Sequence, residues 1–469
     1  MDISESGLTF KMQLYSLTGV PPERQKILVK GGQLKDDTDL STLNIKPNHP
    51  FMLLGSAEEL PKPPVVKPLF AEDMTDQQMA QSTNSPNGLI NVGNTCYANA
   101  TLQALKTVPE LTDALSSYNT PQAGLGLEPD LTGSLRDLYK KMGGTTSAYY
   151  PLAFINILRQ AFPQFDERGN DGLYKQQDAE EAWSQILASM RGKLKTEAHD
   201  QFVEKYFGGE FETTLKCNET NEPAQIGKEK LLKLNCHISI TTNFLRDGLL
   251  SGLEEKIEKF NDSLGRNAEY TLTKRITRLP KYLTVHYMRF FWRRDTQKKS
   301  KILRKVQFPF NYDATELCSE DLKKKLFPAR DKFRELEKEK EELQRSAKRA
   351  KHRQEEDGDR SLSDGATISD EKLKQFNQQI NELVDPELAK DTGCNVLGLY
   401  QLAAVVTHQG ASADAGHYQC FAKNDQEEGK WWRFNDDKVS IVDDARIETL
   451  AGGGESDSAL ILLYRMESL

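Results

Sequence analysis

The sequence has none of the features that would assign the chain to a membrane, to the secretory route or to nucleic acid. No stretch of its 469 residues approaches the run of about 18 apolar side chains that a membrane span requires. The N-terminus has no basic segment followed by an apolar run, so no secretory signal is predicted. A formal net charge of −8 offers no basic footprint for nucleic acid. We therefore expect a cytoplasmic protein, with the nucleus as a second location.

Cysteine is scarce, and its spacing is irregular. No two of the six cysteines form a C-x-x-C pair, so the sequence does not predict a zinc ribbon. We expect neither a metal nor any other cofactor, and we expect the thiols to be reduced. The cysteines are Cys96, Cys217, Cys236, Cys318, Cys394 and Cys420.

Changes in composition divide the chain into two domains. Residues 1–54 contain a helix-like segment, a Pro-Pro turn and short apolar strands. Residues 55–86 include four closely spaced prolines and are typical of an extended linker. Residues 87–467 form a large second domain. At about residues 331–390 this domain is interrupted by a charged stretch with few apolar side chains, which we interpret as a surface insertion.

A helix is predicted to begin at Cys96. Ala98, Leu102 and Leu105 recur at helical spacing after it, and a polar, glycine-containing turn precedes it. The positive end of a helix lowers the pKa of a thiol and favours the nucleophilic thiolate. The polar approach predicts an exposed sulfur. A buried structural cysteine is the alternative, and this segment alone does not decide between them.

A β-hairpin is predicted to bring Asn435 to His417. Strands at residues 418–422 and 431–435 flank a polar loop. Counting back from the ends of that loop places Asn435 directly across from His417, to within one residue. An orienting group for an imidazole belongs at that position. Asp436 is kept as the alternative orienting residue, because strand ends bulge easily.

Four segments resemble the sequence boxes of the ubiquitin-specific proteases, and they occur in the order found in that family. The resemblance implies an α+β fold, with a papain-like cysteine protease core made of thumb, palm and fingers. The segments are residues 88–97 around Cys96, "QQDAEE" at 176–181, "RLPKYLTVHYMRF" at 278–290, and the histidine box at 400–410, 416–418 and 432–436.

The same resemblance implies roles for individual residues. Cys96 would be the nucleophile, His417 the base and Asn435 the orienting residue, while Asn91 matches the side chain that binds the oxyanion. Asp178 could equally cap a helix. Many relatives hold zinc with four finger cysteines, and this chain has only Cys217 and Cys236 in that region, so no metal is predicted. The residues implied in binding the substrate tail are Gln177, Asp178 and Tyr418.

The N-terminal segment resembles a small ubiquitin-like β-grasp domain. Such a fold opens with a β-hairpin, but the first nine residues are too few and too polar for two strands. We therefore expect a truncated domain that lacks its first hairpin. Its pairing with this second domain resembles the proteasome-associated member of the family, which implies docking on the proteasome regulatory particle. The candidate docking residues are Leu28, Met52 and Leu54, of which Leu54 could equally belong to the core.

These patterns predict a thiol-dependent deubiquitinase that cuts the isopeptide bond at the C-terminal glycine of ubiquitin. Ubiquitin and polyubiquitinated proteins are the expected partners, and trimming at the proteasome is the expected setting. One alternative is a non-catalytic protein that only holds ubiquitin, which the complete set of nucleophile, base and orienting residue disfavours. The other is a hydrolase for a different modifier, which the glutamine-rich box and the ubiquitin-like domain disfavour.

Overall fold

The computed structural model of the chain describes residues 6–29, 32–43, 45–46, 49–56, 86–119, 130–196, 198, 200–293, 298–356, 370–412 and 415–467. The chain separates into two compact units, Met1–Met74 and Thr75–Leu469. Most of the expected linker and part of the expected insertion lie outside the described residues, at positions 57–85 and 357–369.

One helix and a three-stranded sheet enclose the core of the small unit. Its buried apolar side chains come from the helix, from the central strand and from the segment after the sheet's tight turn: Phe10, Ile27, Leu34 and Leu40. The strand order is β2-β1-β3, with both pairs antiparallel. The elements are α1 (Gly7–Thr18), β1 (Lys26–Val29), β2 (Gly32–Gln33) and β3 (Met52–Leu54), with 3₁₀ turns at Pro22–Arg24 and Leu40–Leu43.

The outer face of this small sheet carries three exposed apolar side chains. Leu28 is the register partner of Met52, and Leu54 lies on the same face because side chains alternate along a strand. Their exposed fractions are 47%, 60% and 53%. Leu54 is therefore a surface residue, which resolves the alternative that the sequence left open.

The large unit contains a helical half and a sheet half. Its first helices surround α2, and its later helices accompany the strands. The helices are α2 (Cys96–Leu105), α3 (Pro109–Ser116), α4 (Leu131–Met142), α5 (Leu152–Ala161), α6 (Ala179–Met190), α7 (Phe202–Tyr206), α8 (Leu245–Ser251), α9 (Glu320–Glu356), α10 (Asp370–Asn381), α11 (Pro386–Lys390) and α12 (Asp444–Glu448).

The strands of the large unit form two sheets. The smaller has the order β5-β4-β8-β7 and is antiparallel throughout. The larger follows the path β16-β15-β14-β13-β17-β9-β6; β11 and β12 also pair with β13, and β10 pairs with β11. The strands of the smaller sheet are β4 (Gly209–Cys217), β5 (Gln225–Leu231), β7 (Glu254–Asn261) and β8 (Arg266–Arg278). Those of the larger are β6 (Leu234–Cys236), β9 (Tyr282–Tyr287), β10 (Phe290–Arg293), β11 (Lys298–Lys301), β12 (Asn311–Asp313), β13 (Leu399–Ser412), β14 (Ala415–Lys423), β15 (Lys430–Asn435), β16 (Lys438–Asp443) and β17 (Ser458–Met466).

The larger sheet is covered on both faces. Strand β13 has seven consecutive buried residues, from 402 to 408, as expected for a strand enclosed between two apolar layers. One layer joins the sheet to α2, and the other joins it to the segment around α8. Helix α2 packs directly on β14, so the segments carrying Cys96 and His417 are brought face to face. This arrangement of segregated helices and strands confirms the predicted α+β class.

The charged stretch near residues 331–390 contributes a small core of its own. Phe333 and Leu336 of α9 pack with Phe376 and Ile380 of α10 in a buried cluster. These parts of the two helices are therefore packed, and the interpretation of the stretch as an insertion stays a prediction. None of the described helices combines the length and apolar character needed to cross a bilayer.

Candidate active site

Side chains hold the turn that leads into Cys96. Oδ1 of Asn91 accepts hydrogen bonds from the backbone N–H groups of Gly93 (3.0 Å) and Thr95 (3.2 Å). The Thr95 hydroxyl accepts from the Val92 N–H at 3.0 Å. With its polar groups paired in this way, the turn delivers Cys96 as the first residue of α2, as the sequence predicted.

Cys96 is only 2% exposed, so the expectation of an exposed sulfur is wrong. The reason is that α2 lies between β14 and α6, and all ten of its residues are buried. The sulfur nevertheless has a polar neighbour, because Gln176 Nε2 donates a hydrogen bond to Sγ at 3.1 Å. This contact with a side chain from another segment distinguishes Cys96 from a cysteine enclosed only by apolar groups.

Gln176 is a functional candidate that the sequence reasoning missed. It belongs to the glutamine-rich box, in which the sequence indicates Gln177 as the residue that binds the substrate tail. The two adjacent side chains are chemically identical, so only their different directions in the structure identify the one that reaches the sulfur. Gln177 is half-buried, and its position beside the site leaves its predicted role in binding the substrate tail untested.

Asn435 contacts His417, but not through the predicted register. His417 Nε2 and Asn435 Oδ1 are 2.6 Å apart. The ladder between β14 and β15 runs to Cys420 paired with Phe434, and its extension sets Asn435 level with Gln419. The two side chains are therefore diagonal neighbours, and the predicted direct opposition is wrong.

The register differs because the hairpin loop closes one residue later than the sequence suggested. The Asn424 N–H donates to the Lys430 carbonyl oxygen, so Gly429 belongs to the loop and not to the closing pair. Gly429 has a φ of 75°, a left-handed conformation that glycine adopts without strain and that suits a loop position.

The contact with Asn435 selects one tautomer of His417. An amide oxygen can only accept, so Nε2 carries the proton and Nδ1 is left to face the sulfur. A hydrogen bond with Cys96 raises the pKa of His417 to about 9; the bond to Asn435 acts in the same direction, while burial opposes both. The imidazole therefore favours its charged form beside the sulfur, which suits a thiolate–imidazolium pair.

Asp436 lies in the two-residue turn between β15 and β16, with a φ of 52°. Its carboxylate accepts hydrogen bonds from Asn91 Nδ2 (3.0 Å) and Asn99 Nδ2 (2.8 Å), and its carbonyl oxygen accepts from the Leu89 N–H (2.9 Å). It thus ties the turn before the cysteine and helix α2 to the hairpin. Asp436 was the alternative orienting residue for His417, but Asn435 occupies the position beside the imidazole.

The structure shows contacts for three other predicted site residues, and their roles in catalysis or substrate binding stay predictions. Asn91 donates a hydrogen bond to Asp436 and holds the turn. It therefore has a structural role in addition to the predicted binding of an oxyanion. Asp178 accepts from the Glu180 N–H at 2.9 Å and caps α6, which was the alternative considered for it. Tyr418 is buried, with its ring 4.8 Å from that of His408.

The two cysteines in the predicted finger region do not meet. Cys217 ends β4, with its sulfur 3.8 Å from Asn261 Nδ2, whereas Cys236 lies in β6 and belongs to a different buried cluster. Within the part of the chain that the structure describes, no group of three or more potential ligands could hold a metal ion.

A cleft of about 1070 Å³ runs along α6. Its floor includes Trp183 and Leu187, and it extends to Arg191 at the end of the helix. Side chains of both charges line its walls, among them Lys233 and Glu210. Its lining residues do not include Cys96, His417 or Gln176, so the cleft is separate from the immediate surroundings of the sulfur.

A thiol paired with a charged imidazole is the working arrangement of cysteine-type hydrolases, and the fold and geometry described here place the chain in that class. Comparison with known proteins identifies the group within it. The family described as "Ubiquitin carboxyl-terminal hydrolase" matches residues 87–464, and the family described as "Ubiquitin family" matches residues 1–58.

Curated relatives match the chain over nearly its whole length. Ubiquitin carboxyl-terminal hydrolase 6 of Schizosaccharomyces pombe is 45% identical over 469 residues, covering 99% of this chain and 96% of the relative. Ubiquitin carboxyl-terminal hydrolase 6 of Arabidopsis thaliana is 40% identical, with 99% and 95% covered. Ubiquitin carboxyl-terminal hydrolase 14 of Caenorhabditis elegans is 35% identical, with 99% and 90% covered. The chain belongs to the ubiquitin carboxyl-terminal hydrolase family and is a cysteine-type deubiquitinating enzyme with an N-terminal ubiquitin-like domain.

Proposed function

We propose that Cys96 is the nucleophile and His417 the base that cut the isopeptide bond at the C-terminal glycine of ubiquitin. The observation that carries this proposal is the position of His417, which is bonded to both Cys96 and Asn435. A protein that only held ubiquitin would not need a base oriented toward a buried thiol. The contact among the three side chains therefore disfavours the non-catalytic alternative.

In the proposed reaction, Nδ1 of His417 takes the proton of the Cys96 thiol. The thiolate attacks the carbonyl carbon of the terminal glycine, the bond to the substrate lysine breaks, and the imidazolium returns its proton to the leaving amine. Water, deprotonated by His417, then hydrolyses the thioester, which releases the ubiquitin carboxylate and restores the thiol. Asn435 keeps Nε2 protonated throughout.

The oxyanion of each tetrahedral intermediate would form next to the start of α2. We assign its stabilisation to Asn91 and to the backbone N–H of Cys96, each worth about 3 kcal/mol of barrier in comparable sites. Gln176, already 3.1 Å from the sulfur, is a further donor at the same place. The cleft along α6 would receive the part of ubiquitin that precedes its tail, with Gln177, Asp178 and Tyr418 beside the tail itself.

Turnover of a reporter attached to the ubiquitin tail tests these assignments. Cys96→Ser is expected to abolish hydrolysis and to leave ubiquitin binding intact, because serine keeps the shape of the site but is a far weaker nucleophile. Cys217→Ser, at the end of β4 in the smaller sheet, is the matched control and should turn over like the unaltered enzyme. Substantial residual hydrolysis by Cys96→Ser would show that another thiol acts as the nucleophile.

We extend the proposal to the setting of the reaction: trimming of ubiquitin chains from substrates held at the proteasome, with docking through the ubiquitin-like domain. Support comes from the face formed by Leu28, Met52 and Leu54, an apolar group that is about half exposed. Such a patch on a small unit is typical of a protein interaction site. The net charge of −8 supports leaving nucleic acid out of the proposed partners.

Co-sedimentation with purified proteasome tests the docking face. Met52→Glu is expected to weaken association strongly and to leave hydrolysis of a free reporter unchanged, since a carboxylate at this position opposes burial of the patch. Leu17→Glu, on α1 outside the patch and 81% exposed, is the control and should associate normally. Equal association of both variants would contradict docking through this face.

The compartment follows from thiol chemistry. All six cysteines are free, and Cys96 must remain a thiol to act. We propose the cytoplasm as the location, with the nucleus as the second, because both keep thiols reduced. Fractionation of cells followed by detection with a ubiquitin-based activity probe would check this, and activity confined to a secretory fraction would overturn it.

A further inference from the structure

In the hairpin that carries His417, the pairing between β14 and β15 ends just before the catalytic residues. The last registered pair of β14 and β15 on this side is Cys420 with Phe434. Beyond it, His417 and Asn435 are connected through their side chains and not as a ladder pair. Each strand remains paired on its other side, His417 with Gln409 of β13 and Asn435 with Lys438 of β16. The alignment of β14 with β15 at this point therefore depends on side chains, and a base that drifts by about 1 Å can lose a hundredfold in rate.

A second side-chain contact repeats the geometry of the His417–Asn435 contact one step along the strands. The Arg433 Nε donates a hydrogen bond to Gln419 Oε1 at 2.7 Å. Gln419 follows His417 by two residues, and Arg433 precedes Asn435 by two, so each pair of side chains leaves its strand on one side. The Gln419–Arg433 contact has the same diagonal offset, and it connects Arg433 of the ladder to the first β14 residue beyond it.

The other end of the Gln419 amide is anchored outside the hairpin. Its Nε2 donates to the carboxylate of Asp457, at 3.2 and 3.4 Å from the two oxygens, and Arg446 Nη2 donates to the same carboxylate at 2.5 Å. Asp457 immediately precedes β17, and Arg446 belongs to α12. Gln419 is 2% exposed and Asp457 is 6% exposed, so these bonds are formed away from water.

We propose that Gln419 is a positioning residue for the reaction, which holds the His417–Asn435 pair in line with Cys96 by fixing β14 to β15 and to the segment before β17. The inference rests on the proposed roles of His417 and Asn435. Gln419 does not contact the reacting atoms and does not line the cleft along α6, so its contribution belongs to turnover and not to binding of ubiquitin.

The chemistry at position 419 requires an amide specifically. One end must accept from a guanidinium, and the other must donate to a carboxylate. A glutamate at this position would keep the first bond and place a second carboxylate against Asp457 in a buried site, where like charges repel strongly. A methionine would keep the volume and lose both bonds, leaving the partner groups unpaired.

Steady-state kinetics on a ubiquitin-tail reporter tests the proposal. Gln419→Glu and Gln419→Met are each expected to lower kcat about ten- to a hundredfold, with KM changed by no more than about twofold. Gln426→Glu, on the exposed loop of the same hairpin, is the matched control and should keep the unaltered kcat. If the added carboxylate prevents folding, the neutral Gln419→Met variant decides.

A polarity swap provides the rescue. In the double variant Gln419→Glu/Asp457→Asn, the amide and the carboxylate exchange places, and the total charge is unchanged. Every hydrogen bond of the side-chain network that connects Arg433 to Arg446 can form again. We expect kcat to return to within about threefold of the unaltered enzyme. Recovery on exchange would show that the hydrogen bonds themselves, and not the identity of either side chain, maintain kcat.

The results of these experiments distinguish a failure of this inference from a failure of the proposed function on which it rests. Unaltered kcat in both single variants, a change confined to KM, or no recovery in the folded double variant would each overturn the role of Gln419. His417→Ala, measured in the same assay, reports on the proposed active site. If that variant keeps full turnover, the proposed function fails; if it is inactive while Gln419 variants are normal, only the present inference fails.

Discussion

The two sides of the active site are stabilised in different ways. Three backbone N–H groups of the turn before Cys96 are bonded by side chains within five residues, and the chain then enters a fully buried helix. His417 lies where the β14–β15 ladder ends, although its backbone still pairs with Gln409 of β13. Its side chain contacts Asn435 and the cysteine itself. The turn before the nucleophile is thus shaped by local sequence, whereas the side chain of the base is held by residues across the hairpin and on a distant helix.

This difference teaches where the site is vulnerable. Substitutions on the cysteine side should act mainly through the side chain that is removed. Substitutions on the histidine side should also change geometry, because side-chain contacts align β14 with β15 where the ladder between them has ended. Asp436 is the exception that belongs to both sides, since it bonds Asn91 and Asn99 from its place in the hairpin turn.

The largest effect is expected from His417→Ala. Loss of the base should lower kcat about 10²- to 10⁴-fold, while the affinity for ubiquitin, measured by titration, stays the same. His49→Ala, in the small unit, is the matched control and should behave like the unaltered enzyme. Unchanged turnover in His417→Ala would show that His417 is not the base, and the comparison of the two sides would then fail.

Asn91→Ala sharpens the account of the cysteine side, because Asn91 has two candidate roles. If it binds the oxyanion, kcat should fall about 10²- to 10³-fold. If it only holds the turn, the loss should appear as about 1 kcal/mol in the free energy of unfolding, with nearly unaltered kcat. We expect the first result, and denaturant unfolding measured beside the kinetics distinguishes them. A parallel Gln176→Ala variant shows how much of the oxyanion stabilisation comes from the donor near the sulfur.

Asp436→Ala tests the connection between the two sides. The buried amide of Asn99 would lose a charged acceptor, so the free energy of unfolding should fall by about 1.5–3 kcal/mol. We expect kcat to fall about tenfold as well, because the turn that carries Asn91 is no longer tied to the hairpin. Asp437→Ala, at the exposed neighbouring position of the same turn, is the control. A stability loss without any change in kcat would mean that the two sides do not need this connection.

The smallest and most specific effect is on the pKa of His417. The contact with Cys96 raises this pKa from the usual 6.5 to about 9, so the charged imidazole stabilises the folded state fully below pH 6.5. This contribution is lost as the pH rises from 6.5 through 9. In Cys96→Ala the pKa should move back toward 6.5, which NMR titration of the histidine ring can measure. An unchanged pKa would show that the base is charged independently of the sulfur.

Sequence reasoning succeeded where the determinants are local. The spacing of Ala98, Leu102 and Leu105 was sufficient to start a helix at Cys96, and the structure agrees. Burial of the sulfur could not be predicted in the same way, because it arises from β14 packing on α2 across more than 300 residues of sequence. The local pattern shows only that the approach to the cysteine is polar.

On the histidine side, the sequence predicted the right neighbours by an incorrect route. The contact between His417 and Asn435 is present, but the loop closes at Lys430, and the ladder is displaced from the expected register. Loop closure depends on which residues adopt left-handed conformations, and that information is weak in sequence. The contacts of Gln419 and Asp436 with distant segments were likewise beyond a reading of neighbouring residues.

Labelling with ubiquitin that carries a C-terminal electrophile tests the central claim most directly. The probe requires recognition of ubiquitin, access of its tail to the site and a nucleophilic thiol, all in one step. We predict a single covalent adduct that peptide mass spectrometry locates at Cys96 and that disappears in Cys96→Ser. No adduct, an adduct at another of the six cysteines, or labelling only by a probe built on a different modifier would contradict the account.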